Sequence, residues 1–267
     1  MENNQSSRGQ GLSHISRALT QQKTKAVCLD CGEPFEALDI GSHTRHYCNN
    51  CAVKRAGLEE ADKLAREEAV AEERHRALIS QAKMPPKWQT TTFANSKMEF
   101  NLHAFKFASQ YAEVFNSLSP SLALYSPGNG TGKTHLAACI ANHVLHIKRL
   151  PVLFMKARDL MLEIRRTFSD RGDITEADIL DKVLSVKLLV LDDVGVDPPT
   201  RWLHATYWTV FDRRLEWQLP TVVTTNKPFE APVGKECLAD RIGDGAFSRL
   251  VELCQGNVID MTGIDLR

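Results

Sequence analysis

The pattern of apolar and polar positions changes at Met84. Before it, over 52–83, alanine and charge dominate without a proline, and Glu59/Lys63, Asp62/Arg66 and Glu72/Arg76 stand four apart with the acid first, the favourable order on a helix. The apolar positions there are mostly alanine with Leu58, Leu64, Val70 and Leu78, too thin a face for a stable coiled coil. A solvated spacer or partner-binding helix is predicted, ended by Met84-Pro85-Pro86. Beyond Met84, short apolar runs at 121–126, 151–155, 186–193, 221–225 and 257–261 read as buried strands. Helix-period segments lie among them at 102–118, 133–148, 158–169, 176–184, 201–217 and 247–254. Strands alternating with helices predict an α/β class: a parallel sheet flanked by helices. The expected organisation is a polar, disordered tail over 1–25, a small cysteine-bearing module over 26–56, a linker helix over 57–84 and an α/β domain over 85–267.

Composition narrows the function classes. The 33 basic and 33 acidic residues give a formal charge of zero, so nucleic-acid contact must come from a local patch. No apolar stretch approaches a membrane span and the polar Met1-Glu2-Asn3-Asn4-Gln5 start lacks a signal-peptide core, so a cytoplasmic protein without membrane association is expected. In that compartment the seven cysteines are not structural disulfides.

Two segments carry nucleotide chemistry. Ser126-Pro127-Gly128-Asn129-Gly130-Thr131-Gly132-Lys133-Thr134 lies between a strand pattern and a helix pattern, where a phosphate-binding loop belongs. Its glycines let backbone N–H groups converge on phosphate oxygens, and the helix starting near Gly132 adds its positive end. Lys133 is placed to reach the β- and γ-phosphates and Thr134 to hold Mg²⁺. The strict pattern has glycine where Pro127 stands, so the first turn of the loop is expected to differ. Further on, Val186-Lys187-Leu188-Leu189-Val190-Leu191-Asp192-Asp193 reads as a buried strand ending in two carboxylates, the form of a Walker B element. Asp192 is expected to support the magnesium, and Asp193 to orient or deprotonate the attacking water.

Four cysteines carry a different chemistry. Cys28-x₂-Cys31 and Cys48-x₂-Cys51 have the spacing of a four-thiolate zinc site. The segment from Gly32-Glu33-Pro34-Phe35 to His46-Tyr47 is expected to form a hairpin folded over the ion. So small a module has little core, and metal binding of about 10–16 kcal/mol is what folds it. His43 and His46 are alternative ligands, but four cysteines already complete a closed, structural shell.

Beyond these motifs, Leu124-Tyr125 through Thr134-His135-Leu136-Ala137, Leu188 through Val194-Gly195, Thr224-Thr225-Asn226, Ser248-Arg249-Leu250 and Gly263-Ile264-Asp265-Leu266-Arg267 together resemble the AAA+ ATPases of the DnaC/DnaI type. Met84-Pro85-Pro86-Lys87-Trp88 and Thr92-Phe93 are similar to the segment that leads into that family's ATPase domain, and the likeness covers about 84–267. The cysteine module with its helix is similar in kind to the helicase-binding region of the DnaI branch.

The resemblance implies an AAA+ ATPase that loads a hexameric replicative helicase onto single-stranded DNA at replication initiation, with slow, partner-stimulated hydrolysis. It implies ATP and Mg²⁺ as ligands held by Gly128, Asn129, Gly130, Thr131, Gly132, Lys133, Thr134, His135, Asp192 and Arg267. It makes Asn226 the sensor that places the water, Arg249 the finger given to a neighbouring subunit, with Arg241 its rival, and Arg267 a sensor of nucleotide in cis. A finger acting in trans implies a self-oligomer. Lys156, Arg158, Arg165 and Arg166 are candidates for DNA phosphates, and Phe168 is assigned to the core. An IstB-type helper of a DNA transposase shares the ATPase motifs, and the cysteine module argues against it. An ATP-binding adaptor without useful hydrolysis is the third reading.

Overall fold

The computed structural model describes residues 22–39, 46–96, 101–169, 175–231 and 234–263, and the chain divides into two compact units, Met1–Ala71 and Glu72–Arg267. In the first, β1 (Gln22–Val27) and β2 (Pro34–Asp39) pair antiparallel, in register from Gln22 opposite Asp39 to Val27 opposite Pro34. The hairpin therefore lies earlier than expected, with Cys28 and Cys31 in its turn and not ahead of it. Gly32 closes that turn at φ +74°, its N–H bonded to the Cys28 carbonyl at 2.9 Å. β1 also takes in residues 22–25, which the sequence assigns to the tail; 1–21 lie outside the described residues. Helix α1 (Asn49–Gln81) starts sooner than expected because Cys51 sits in its first turn, where the Ala52 N–H bonds the Cys48 carbonyl.

The second unit is built on a parallel sheet. β3 (Leu122–Tyr125), β4 (Val152–Lys156), β5 (Leu188–Val194), β6 (Thr221–Thr225) and β7 (Val258–Asp260) lie in the order β4-β5-β6-β3-β7. The remaining helices are α2 (Leu102–Val114), α3 (Lys133–Asn142), α4 (Ala157–Ser169), α5 (Glu176–Ser185), α6 (Arg201–Glu216), α7 (Leu238–Ile242) and α8 (Asp244–Cys254). α3 runs on as a π-helical turn over His143–Ile147.

Strand alternation divides the core in two. Leu122, Leu124, Val152, Phe154, Leu188, Val190 and Val222 face α2 and α3, whereas Ala123, Leu153, Met155, Leu189, Leu191 and Val223 face α4 to α8. Burial on both faces explains why β3, β4 and the first part of β5 are apolar runs without a polar alternate. The parallel arrangement brings the C-terminal ends of β3, β6 and β5 side by side, with Tyr125 opposite Thr225 and Thr225 opposite Val194.

Candidate nucleotide and metal sites

The loop after β3 leaves the sheet at this edge. Ser126 N–H donates to the Thr225 carbonyl at 3.2 Å, and Ser126 Oγ accepts from the Gly128 N–H at 3.2 Å, so a hydroxyl shapes the first turn where the strict motif has glycine at position 127. Gly130 and Gly132 take φ +73° and +91°, the left-handed region that favours glycine. Gly132 caps α3 without any side-chain bond, which leaves the first N–H groups of the helix directed at the loop. Lys133 is buried, and its ammonium donates to the Gly128 carbonyl at 2.8 Å and the Ser126 carbonyl at 3.3 Å. It therefore lies inside the concavity of the loop.

The two sequence motifs meet. Thr134 Oγ1 donates to Asp192 Oδ1 at 2.7 Å, across 58 residues of chain. Thr224 Oγ1 donates to the same oxygen at 2.7 Å and accepts from the Asp193 N–H at 2.8 Å. Burial pushes the Asp192 carboxyl above the usual carboxylate range and the adjacent Asp193 adds to this, against the pull of Thr224 and Thr134. A buried carboxylate beside a hydroxyl fits a hard cation. Asp193 takes φ +60° at a register irregularity between β5 and β6. Asn226 follows β6 at the same edge, and its buried Oδ1 has no hydrogen-bond partner; the buried Oγ1 of Thr131 in the loop also has none. Orphaned polar atoms at such an edge fit a polar ligand.

Other expected residues lie elsewhere. His135 Nε2 meets Ser96 Oγ at 2.5 Å and its ring stands edge-on to Trp88, so it faces the lead-in segment. Arg249 on α8 pairs with Asp212 at 2.7 Å and Glu252 at 3.3 Å, and Arg241 on α7 pairs with Glu236 at 2.7 Å. Arg267 and His43 lie outside the described residues. Arg158 pairs with Asp197 at 3.6 Å, and the Arg165 guanidinium lies 4.9 Å from the centre of the Trp202 ring. Phe168, assigned from its sequence to the core, is 59% exposed and rests edge-on against Trp202; its helix turns that position outward. Sequence reasoning quoted Ser126 and Thr224 within motifs but gave them no role, and it missed Asn101, whose Nδ2 donates to the carbonyls of Thr131 and Met261 at 3.3 and 3.4 Å.

The four cysteines of the first unit converge, with their sulfurs all within 4.8 Å of one another and Cys31 and Cys48 Sγ 3.8 Å apart. That is about the edge of a tetrahedron with Zn–S bonds of about 2.3 Å, and far beyond a disulfide bond. Burial opposes ionisation of Cys28, but the amides of Cys31, Cys48 and Asp30 together bring its thiol down to about 6. The hydrogen bond with Cys48 leads the influences that push Cys51 up to about 12. A soft dication fits this donor set, because it would take all four as thiolates. Arg55 on α1 clasps the first knuckle through Asp30 at 2.7 and 2.9 Å and lies over the Tyr47 ring. His46 stands beside the cluster, where its carbonyl accepts from the Leu29 N–H.

Comparison with known proteins places these features. A family model described as IstB-like ATP binding protein matches residues 53–263. The replicative helicase loader DnaC of Buchnera aphidicola subsp. Schizaphis graminum is 32% identical over 160 residues, 59% of this chain and 63% of that protein. DnaC of Escherichia coli K12 is 32% identical over 161 residues, 60% of this chain and 64% of that protein. The replicative helicase loader DnaI of Bacillus subtilis is 28% identical over 127 residues, 47% of this chain and 40% of that protein. The matches thus span less than two thirds of these relatives. Crystal structures of the DnaC helicase loader and of DnaI superpose with TM-scores of 0.54 and 0.52 at 19% and 20% identity, covering 67% and 69% of this chain and 99% and 95% of theirs. They share its fold, a parallel sheet flanked by helices.

Proposed function

The chain belongs to the IstB-like ATP binding protein family, and from that premise we propose that it is an ATP-dependent loader of a replicative DNA helicase onto single-stranded DNA. The observation that carries the ATPase half is the Thr134–Asp192–Thr224–Asp193 chain of hydrogen bonds, which joins the phosphate loop to the end of β5. The helicase-loading half rests on the likeness to DnaC and DnaI.

In this reading the N–H groups of 128–133 and the start of α3 hold the phosphates, and Lys133 swings from the loop carbonyls onto the β- and γ-oxygens. Thr134 and Asp192 would hold Mg²⁺, which supplies charge neutralisation across the phosphates. Asp193, aimed by its left-handed backbone, orients the attacking water and takes its proton, and Asn226 fixes that water through Oδ1. Arg249 leaves Asp212 to complete a neighbouring subunit's site, so the working form is an oligomer; such a finger is worth ~10³–10⁵ in rate. Arg158 and Arg165 offer charge to single-stranded DNA. The zinc module and α1 grip the helicase. Hydrolysis resets or releases the assembly in the cytoplasm.

The match to the IstB-like family favours a second reading, a helper of a DNA transposase acting on duplex DNA. The four-cysteine cluster favours the loader, since the resemblance gives such a region to the DnaI branch. Co-purification decides between them. A hexameric replicative helicase should be retained with ATP, and retention should fail when Cys48 and Cys51 are both replaced by serine. Retention of a transposase and not of the helicase overturns the proposal.

A further inference from the structure

Asn226 can place a water only if the strand exit that carries it is held still against the exit that carries Asp193. Both exits are tied to the start of α7. Lys227, directly after Asn226, donates from Nζ to Glu236 Oε2 at 2.6 Å, and the Leu238 N–H donates to the Pro228 carbonyl at 2.8 Å. Arg241, on α7, lies 2.7 Å from the other oxygen of the same carboxylate, an ion pair without the alignment of a hydrogen bond. The side chains of Lys227 and Arg241 are only 23% and 20% exposed.

The β5 exit packs against the stems of those two side chains. A Cβ on Gly195 would lie 2.9 Å from Leu238 Cδ1, 3.3 Å from Arg241 Cβ and 3.5 Å from Lys227 Cγ, and Gly195 takes φ +83°. The backbone two residues after Asp193 is thus walled by the residue after Asn226 and by α7. The Thr225 hydroxyl closes the other side, donating to the Val194 carbonyl at 2.8 Å and accepting from the Lys227 N–H at 3.1 Å.

We infer that Glu236 is a positioning residue for hydrolysis: by bridging Lys227 and Arg241 it fixes the spacing between Asp193 and Asn226. The inference rests on the ATPase reading given above. It also assigns Arg241 a role within its own subunit and leaves Arg249 as the finger. The Lys227 hydrogen bond, with help from Arg241, holds the Glu236 carboxyl below its ordinary range, as expected of an anion kept between two cations.

The test uses the full chain. Glu236→Gln should lower kcat for ATP on the order of tenfold to a hundredfold with KM unchanged, as misplacement of a water does. Glu236→Asp, which keeps the charge, should recover most of the loss. Backbone hydrogen exchange in Glu236→Gln should quicken several-fold over 193–196 and 225–228 as well as over 234–242. Lys227→Met breaks the same tie from the other side and should reproduce both effects. Unchanged kcat, a rise in KM alone, or faster exchange confined to 234–242 overturns the inference. Wild-type turnover no greater than that of Lys133→Ala overturns the hydrolysis reading, and the exchange data then decide the positioning claim alone.

Discussion

At the scale of residues, Asp192 shows a conflict between stability and function. Its carboxyl is buried, accepts two hydroxyl hydrogen bonds and has the negative Asp193 beside it. Its folded pKa is raised, so the folded state holds a proton in the window between the ordinary carboxylate range and the raised value. Stability falls as pH rises through that window, and above it the whole penalty is present. Asp192→Asn should therefore unfold at a higher temperature than the wild type at neutral pH, with the difference shrinking in acid. The same variant should lose magnesium-dependent ATP turnover by ~10²-fold or more, since the hydroxyl pair alone cannot replace a carboxylate on a hard cation. Thermal scans across pH with parallel turnover assays check both. Equal melting temperatures at neutral pH would show that a cost assigned to burial is absent.

At the scale of elements, the end of β5 is bent out of regular strand geometry at its second carboxylate. Asp193 sits at φ +60°, a conformation that asparagine and aspartate tolerate and β-branched residues do not. Asp193→Asn should keep the fold, bind ATP as the wild type does, and lose turnover by ~10²–10⁴-fold because the general base is gone. Asp193→Val should in addition destabilise the protein by about 1–3 kcal/mol, the cost of forcing a β-branched residue into that backbone. Chemical denaturation separates the two, and equal midpoints would refute the strain argument. This bend was not legible in the amino-acid sequence, although both carboxylates were. β3, β4 and most of β5 were legible because they are buried on both faces and so read as apolar runs. β1, Gln-Lys-Thr-Lys-Ala-Val, has no such signature and pairs partly through an exposed Lys23–Glu36 bridge. α7 is five residues long, too short for a helical period to show. Thr224 is one threonine in Thr-Val-Val-Thr-Thr, and only the packing of β6 beside β5 turns its hydroxyl into the link between Asp192 and Asp193.

At the scale of the whole molecule, the two units are stabilised by different physics. Glu72–Arg267 has two apolar layers around a parallel sheet, enough core to fold by burial. Met1–Ala71 has little comparable: among its described residues only Cys28 and Ala37 are buried apolar positions, and Val27, Leu29, Val53, Leu58, Leu64 and Val70 are exposed. A hairpin and a solvated helix with so little to bury are held by whatever joins the two cysteine knuckles, and a zinc ion there is worth about 10–16 kcal/mol. In a Cys237→Ser variant, whose remaining second-unit thiols Cys139 and Cys254 are buried, oxidising or mercurating the thiols in the presence of a strong chelator should release one zinc per chain, open the knuckle and raise protease cleavage between β2 and α1. The second unit contains none of the four ligands, so its melting temperature with ATP should stay within a degree or two of the untreated protein, below the roughly 2–4 °C that 1 kcal/mol moves a domain of this size. Metal analysis, limited proteolysis and calorimetry report these separately. No zinc released, or one shared unfolding transition lowered by the treatment, would mean that the cysteine module is held by its own packing or that its metal stabilises the ATPase unit too.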